Sequence, residues 1–268
     1  MSKDITVCLL LSLSLLLPVR ANSEQISDNT SHKTDSIKKS NGFYILPDLD
    51  HGLIQSPINI RSFKQEKTNT HQITFHFQDK IKAVENLGHT VQLDFAEGST
   101  ISYEGLEYEF KQMHFHTPSE HLIDGMTFPM EMHIVTSIPA KDKNSPPRYL
   151  VIGILFKEGQ ANKFIDEFLN LIPKTEHSIT ALKTGTVKLD DLFSSTEVDD
   201  AGNFYKLHRA GNFYHYQGSL TTPPYTETVQ WFIFKPIDTA SPEQIKTIST
   251  IEGNNARHIQ GIFTRGID

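Results

Sequence analysis

The sequence predicts a mainly β protein built around one large sheet. Three observations carry this expectation. Short segments with period-2 alternation recur between turn signals. One segment, "YLVIGILFK" at 149–157, is apolar on both faces, as a central strand covered from both sides must be. Only two stretches carry the spacing of helices.

In chain order, "ITFHF" (73–77), "HTVQLDF" (89–95) and "STISYEGLEYEF" (99–110) alternate apolar and polar residues, as half-buried strands do. "KQMHFH" (111–116) continues that character, and "MEMHIVTSI" (130–138) and "TVQWFIFKPI" (228–237) add further strands. "ANKFIDEFLNLIP" (161–173) has the 3–4 spacing of an amphipathic helix ending at Pro173. "SPEQIKTIST" (241–250) opens a second helix on Ser241, with Pro242 at the first helical position. The pentapeptide AGNFY occurs at 201–205 and again at 210–214. Two copies are too few for a solenoid, so this reads as a small duplication in a loop.

The amino-terminal residues differ from the rest. "VCLLLSLSLLL" is an apolar run of 11, too short to span a bilayer, and "PVRA" follows it. Residues 1–21 therefore read as a secretory signal peptide cleaved after Ala21. Only Ile26 and Ile37 are apolar among the next 20 residues, which disfavours a buried helix there. Residues 22–41 are polar and read as a disordered leader, because they bury too little surface to offset the entropy of ordering. The expected destination is the periplasm or the medium, with no stable membrane anchor once the signal is removed. The one cysteine, Cys8, leaves with the signal, so the mature chain forms no internal disulfide.

The 268 residues are 37% hydrophobic and 21% charged, a globular composition, with formal net charge −7. Cleavage removes Lys3, Asp4 and Arg20, a net +1, and leaves −8. That balance argues against nucleic acid or an anionic membrane as partner.

Among 13 histidines, His114 and His116 stand in "MHFH". Chance supplies about 0.6 His-x-His pairs in such a chain, so the pair alone is weak evidence of a metal site. On a strand both would project to one face, which suits zinc with its tetrahedral nitrogen ligands. His121 is the nearest third candidate, although "TPSEH" interrupts the strand. His133 lies on another strand, where Glu131 shares its face and could take its second ring N–H. His71, His76, His177, His208 and His258 show no partner pattern and read as surface or hydrogen-bonded residues.

Five blocks now stand in order: "QSPINI" (55–60), "NLGHTVQLDF" (86–95), "MHFHTPSEH" (113–121), "PMEMHIV" (129–135) and "GSLTTPPYTETVQW" (218–231). Together they resemble the α-class carbonic anhydrases, and the likeness extends over nearly all of 51–268. The resemblance implies one catalytic domain over 42–268. Its fold would be a large central, mostly antiparallel twisted sheet with a few peripheral short helices. It implies reversible hydration of carbon dioxide to bicarbonate by a zinc-bound hydroxide, in a monomer or homodimer. His114, His116 and His133 match the zinc ligands. Gln112 and Glu131 match the groups that orient His114 and His133. Thr221 and Glu120 match the pair that orients the hydroxide, and His89 matches the proton shuttle. Val135, Val151, Leu220, Thr222, Val229 and Trp231 match the substrate pocket, although ordinary β-core would account for most of them.

The chain also departs from the family pattern. "GFYILPDLDHGL" (42–53) lacks the usual tryptophans and Gly-Pro, and Leu53 and Tyr225 stand where many exported relatives have a disulfide. "NNARHIQ" (254–260) resembles an Asn-x-Arg-Pro turn with His258 in place of proline. A non-catalytic binding protein on the same fold is the alternative, as is a zinc carrier without activity, although neither would need the Thr221–Glu120 pair.

Overall fold

The computed structural model describes residues 52–268 except 65–70, 79, 141, 143–144, 190–191, 193, 199–203 and 209–211. The expected signal peptide and leader lie outside the described residues. No helix among the described residues is long and apolar enough to cross a membrane.

The described strands are β1 (Asn59–Ile60), β2 (Ile73–His76), β3 (Ile81–Asn86), β4 (Val91–Phe95), β5 (Thr100–Tyr103), β6 (Leu106–His116), β7 (Leu122–Ile123) and β8 (Met130–Ile138). They continue as β9 (Arg148–Glu158), β10 (Ser178–Ala181), β11 (Ser194–Val198), β12 (Phe204–His208), β13 (Phe213–Gly218), β14 (Val229–Phe234) and β15 (Asp238–Ala240). Helices α1 (Lys163–Leu169) and α2 (Pro242–Glu252) complete the described elements. Eleven strands form one sheet along the path β10-β3-β4-β6-β8-β9-β14-β13, with β2, β5 and β15 attached beside it. Its pairs are antiparallel except β14 and β15 on β9. The architecture is therefore the predicted mainly β fold on a large, mostly antiparallel sheet.

Alternation sorts the side chains into two clusters. Met113 and Phe115 of β6, Met132 and Ile134 of β8, Ile152 and Ile154 of β9, and Phe232 and Phe234 of β14 enter one core cluster. Val151, Leu155, Trp231 and Ile233 enter a second cluster with Ile58 and Ile60. β9 is buried on both faces between β8 and β14, which accounts for its unbroken apolar run. Truncating a filled site such as the fully buried Phe115 to alanine would cost about 3–5 kcal/mol.

Some local expectations are corrected. "STISYEGLEYEF" is two strands, β5 and β6, paired Tyr103↔Leu106. Glu104 and Gly105 both take positive φ (49° and 72°) in a two-residue turn whose twist matches the flanking strands. The first helix is shorter than 161–173. Asn162 caps it by accepting from the Ile165 N–H at 3.3 Å, and Asn170 closes it before Pro173. Ser241 caps α2 in a reciprocal capping box with Gln244. The AGNFY copies are not both loop. Phe204–His208 pairs antiparallel with Ser194–Val198, and Phe213 and Tyr214 of the second copy begin β13.

Candidate metal centre and active site

Strand pairing builds the centre. In the β6–β8 register, His114 lies opposite His133 and His116 opposite Glu131, so the one-face alternation of both strands brings four polar groups together. One nitrogen from each of His114, His116 and His133 can be chosen so that all lie within 4.8 Å of one another. The rings of His114 and His133 stand nearly perpendicular at 88°, with centroids 5.4 Å apart.

The outer nitrogens decide which inner ones are free. His114 Nδ1 donates to Gln112 Oε1 at 2.8 Å, which leaves Nε2 as the bare nitrogen. His133 Nε2 donates to Glu131 Oε1 at 2.8 Å, which leaves Nδ1. His114 Nε2 and His116 Nε2 face each other at 3.1 Å. Burial pulls His114 down to about 3, His116 well below the ordinary histidine value, and His133 below it as well. All three are therefore neutral at pH 7, the form that ligates metal. His114 Nε2 and His133 Nδ1, both bare, together with the neutral His116 beside them fit a zinc-class cation in donor type and number.

Glu131 holds the arrangement. Its Oε1 takes His133 Nε2 and also His121 Nδ1 at 2.6 Å, and its Oε2 takes the backbone N–H groups of Glu120 (2.9 Å) and His121 (2.8 Å). Burial alone would raise this carboxyl, but His121 and His133 beside it hold it well below the usual carboxylate range. Gly153 lies opposite His133, and a Cβ there would come within 3.0 Å of Glu131 Oε1 and 2.5 Å of Ile233 Cδ1. Only glycine leaves room for the carboxylate. His121 is fully buried, and its other nitrogen lies 2.7 Å from the Tyr216 hydroxyl. It is thus tied to Glu131 and Tyr216, away from the three converging nitrogens.

Glu120 lies beneath this centre, with Oε2 3.6 Å from His116 Nε2 and 3.9 Å from His133 Nδ1. Its Oε1 accepts the Arg257 backbone N–H at 2.9 Å. Burial pushes its carboxyl up to about 8, against the opposing pull of the Arg257 N–H and the Thr221 side chain. Thr221 stands on the loop after β13, which Trp231 fixes by donating Nε1–H to Ser219 O at 3.0 Å. Arg257 Nη1 reaches Gln55 Oε1 (3.0 Å) and Ser56 O (2.7 Å) and stacks over Tyr225, 3.8 Å from the ring centre. This joins the positions around 53 and 225 without a disulfide.

A cavity of about 200 Å³ opens over the centre, lined by Gln112, His114, His133, Val135, Tyr149, Val151, Leu220, Thr221, Thr222 and Trp231. Val229 is buried in the same apolar cluster but is not among the lining residues. Tyr149 is an addition to the sequence reading, although it lies two residues from Val151 on the same strand face and alternation alone could have flagged it. His89 is exposed between β3 and β4, with Nδ1 3.0 Å from Leu87 O. It lies outside the cavity lining, yet its charge contributes to lowering His114.

Comparison with known proteins agrees with this geometry. Residues 46–265 match the family model described as eukaryotic-type carbonic anhydrase. A carbonic anhydrase of Neisseria gonorrhoeae is 34% identical over 216 residues, which are 80% of this chain and 76% of that protein. A hyperthermostable carbonic anhydrase from an active hydrothermal vent chimney superposes with TM-score 0.65 at 30% identity, covering 81% of this chain and 87% of that one. The α-carbonic anhydrase of Thermovibrio ammonificans, solved with the inhibitor sulfanilamide, gives 0.64 at 29% identity over 80% and 86%. The chain thus belongs to the eukaryotic-type, or α, carbonic anhydrase family.

Proposed function

We propose that this chain catalyses the reversible hydration of carbon dioxide to bicarbonate and a proton, with zinc held by His114, His116 and His133. The observation that carries the reading is the convergence of three neutral imidazoles, two with their outer nitrogens held by Gln112 and Glu131, at the floor of an apolar-walled cavity. Zinc, when bound, polarises a water so that it acts as a nucleophile near neutral pH.

The protein's own groups do the rest. Gln112 and Glu131 fix ring orientation and tautomer, which keeps the ligating lone pairs aimed inward. Burial raises Glu120 in the metal-free chain, and a cation on the histidines beside it would draw it back to the carboxylate. As a carboxylate it accepts a hydrogen bond from the Thr221 hydroxyl, so Thr221 Oγ accepts from the nucleophile and turns its reactive lone pair toward the substrate. The backbone N–H of Thr221 is the donor for the developing bicarbonate oxygen. Val135, Val151, Leu220 and Trp231 form a wall that suits a small apolar substrate, Val229 packs behind it, and Thr222 sits at the rim. His89, an exposed imidazole, passes the released proton to buffer. The work is done outside the cytoplasm after removal of residues 1–21, by a monomer or homodimer.

Stopped-flow carbon dioxide hydration with a pH indicator tests this reading. The purified chain should turn over faster than buffer, and a zinc chelator should abolish the excess. Zinc-replete protein with no rate above buffer would overturn it.

A further inference from the structure

A second cluster of ligating side chains lies on the opposite face of β13. Tyr216 points toward His121 and the active site, so its strand neighbour His215 points the other way. There His215 meets His71 and Asp268, and one ligand atom from each can be chosen with all three within 4.8 Å of one another. His71 Nε2 lies 2.9 Å from Asp268 Oδ2, and His215 Nδ1 lies 3.9 Å from the same oxygen. These separations bracket the roughly 3.4 Å that joins neighbouring ligands around a tetrahedral zinc with bonds near 2.0–2.1 Å.

The outer nitrogens are again held. His215 Nε2 donates to Gln230 Oε1 at 2.8 Å, which leaves a bare Nδ1 facing a carboxylate oxygen. Two acceptors facing each other call for a cation between them. His71 Nδ1 meets the Tyr103 hydroxyl at 2.9 Å, and the tautomer donating there bares Nε2 toward Asp268. Asp268 is fixed in place, since its backbone N–H and C=O pair reciprocally with those of His215 at 3.1 Å. The three groups border a cavity of about 280 Å³ that leaves space for a water as a further ligand. Arg265 also borders this cavity, but its guanidinium is committed to the carbonyls of Ile262, Gln217 and Gly261.

The geometry points to a second divalent-cation site of the zinc class, formed by His71 Nε2, His215 Nδ1 and Asp268 Oδ2, separate from the three-histidine centre.

Metal analysis of the tag-free full-length chain, loaded with zinc and freed of excess, tests the site. Wild type should hold two equivalents, and His71→Gln and Asp268→Asn should each hold one. Asp268→Asn should also leave the carbon dioxide hydration rate within twofold of wild type, because this cluster lies off the active-site face. Copper(II) in a His114→Ala/His116→Ala chain should show nitrogen couplings that His71→Gln reduces. A single equivalent in folded wild type that both His71→Gln and Asp268→Asn retain would mean that the cluster holds only a proton. A second equivalent surviving in both variants would place it elsewhere, and either result overturns the assignment. Neither depends on whether the chain hydrates carbon dioxide.

Discussion

Replacing Glu131 by glutamine separates the chain's own contribution to the metal centre from the ligands themselves. The carboxylate accepts four hydrogen bonds, two from ring nitrogens and two from backbone N–H groups. A glutamine can keep its oxygen on the backbone pair, but its amide NH₂ then faces His121 and His133. His133 must answer by accepting at Nε2, which moves its proton to Nδ1, the nitrogen otherwise bare. Restoring that lone pair means breaking the new bond, so zinc affinity should fall about 10- to 100-fold, or about 1.4–2.8 kcal/mol. Loss of two charge-assisted bonds should also cost about 3 kcal/mol of folding stability. Competition against a chelator of known affinity reads the first effect, and urea unfolding of the metal-free protein reads the second. Glu131→Gln protein with wild-type zinc affinity would refute the argument that this carboxylate sets the His133 tautomer.

Three further outcomes are expected. His89→Ala should lower kcat by about 10²-fold in dilute buffer with kcat/KM little changed, and concentrated imidazole should restore most of it. Equal loss at both buffer strengths would count against the shuttle. Val135→Phe should place a ring in the 200 Å³ cavity and lower kcat/KM by at least about 10²-fold while zinc content stays at the wild-type level. Burial raises Glu252, which accepts from Val91 N–H, Thr90 and Asn255, from 4.5 to about 8. The folded state therefore binds this proton more tightly than the unfolded one. Its stabilisation is complete below about pH 4.5 and is lost as pH rises toward 8, with a ceiling of about 1.4 kcal/mol per pH unit. Glu120 adds a slope of the same sign in metal-free protein. Urea unfolding at pH 5 and pH 8 should show a shallower decline for Glu252→Gln than for wild type, and identical slopes would contradict the assignment.

The fold was legible wherever one face of a strand is wet. β4 announces itself by alternation, β9 by its unbroken apolar run, and α2 by its Ser-Pro start. β13 does not, because four of its six residues in a row are buried and the period-2 signal vanishes. The turn at Glu104–Gly105 was hidden for the opposite reason, since alternation continues through it and only the glycine marks the reversal. In the site, the local spacing of His114 and His116 puts both on one face without any tertiary knowledge. The choice between His121 and His133 is a matter of cross-strand register, which no local pattern encodes. His121 sits in a network reaching Tyr216, 95 residues away, and His71 becomes part of a cluster only when Asp268 is brought beside β13. Family resemblance supplied what local spacing could not for His133, Thr221 and Glu120. It supplied nothing for His71 and His215.

The central claim is that zinc on His114, His116 and His133 makes this chain a carbon dioxide hydratase. Its most direct test is a zinc titration of metal-free protein, with hydration rate and bound metal followed together. The rate should rise in proportion to occupancy of the first equivalent and then stay flat, and a His133→Ala chain should show no rise at any zinc concentration. Full activity before zinc is added, or a filled three-histidine site with no rate above buffer, would contradict the account.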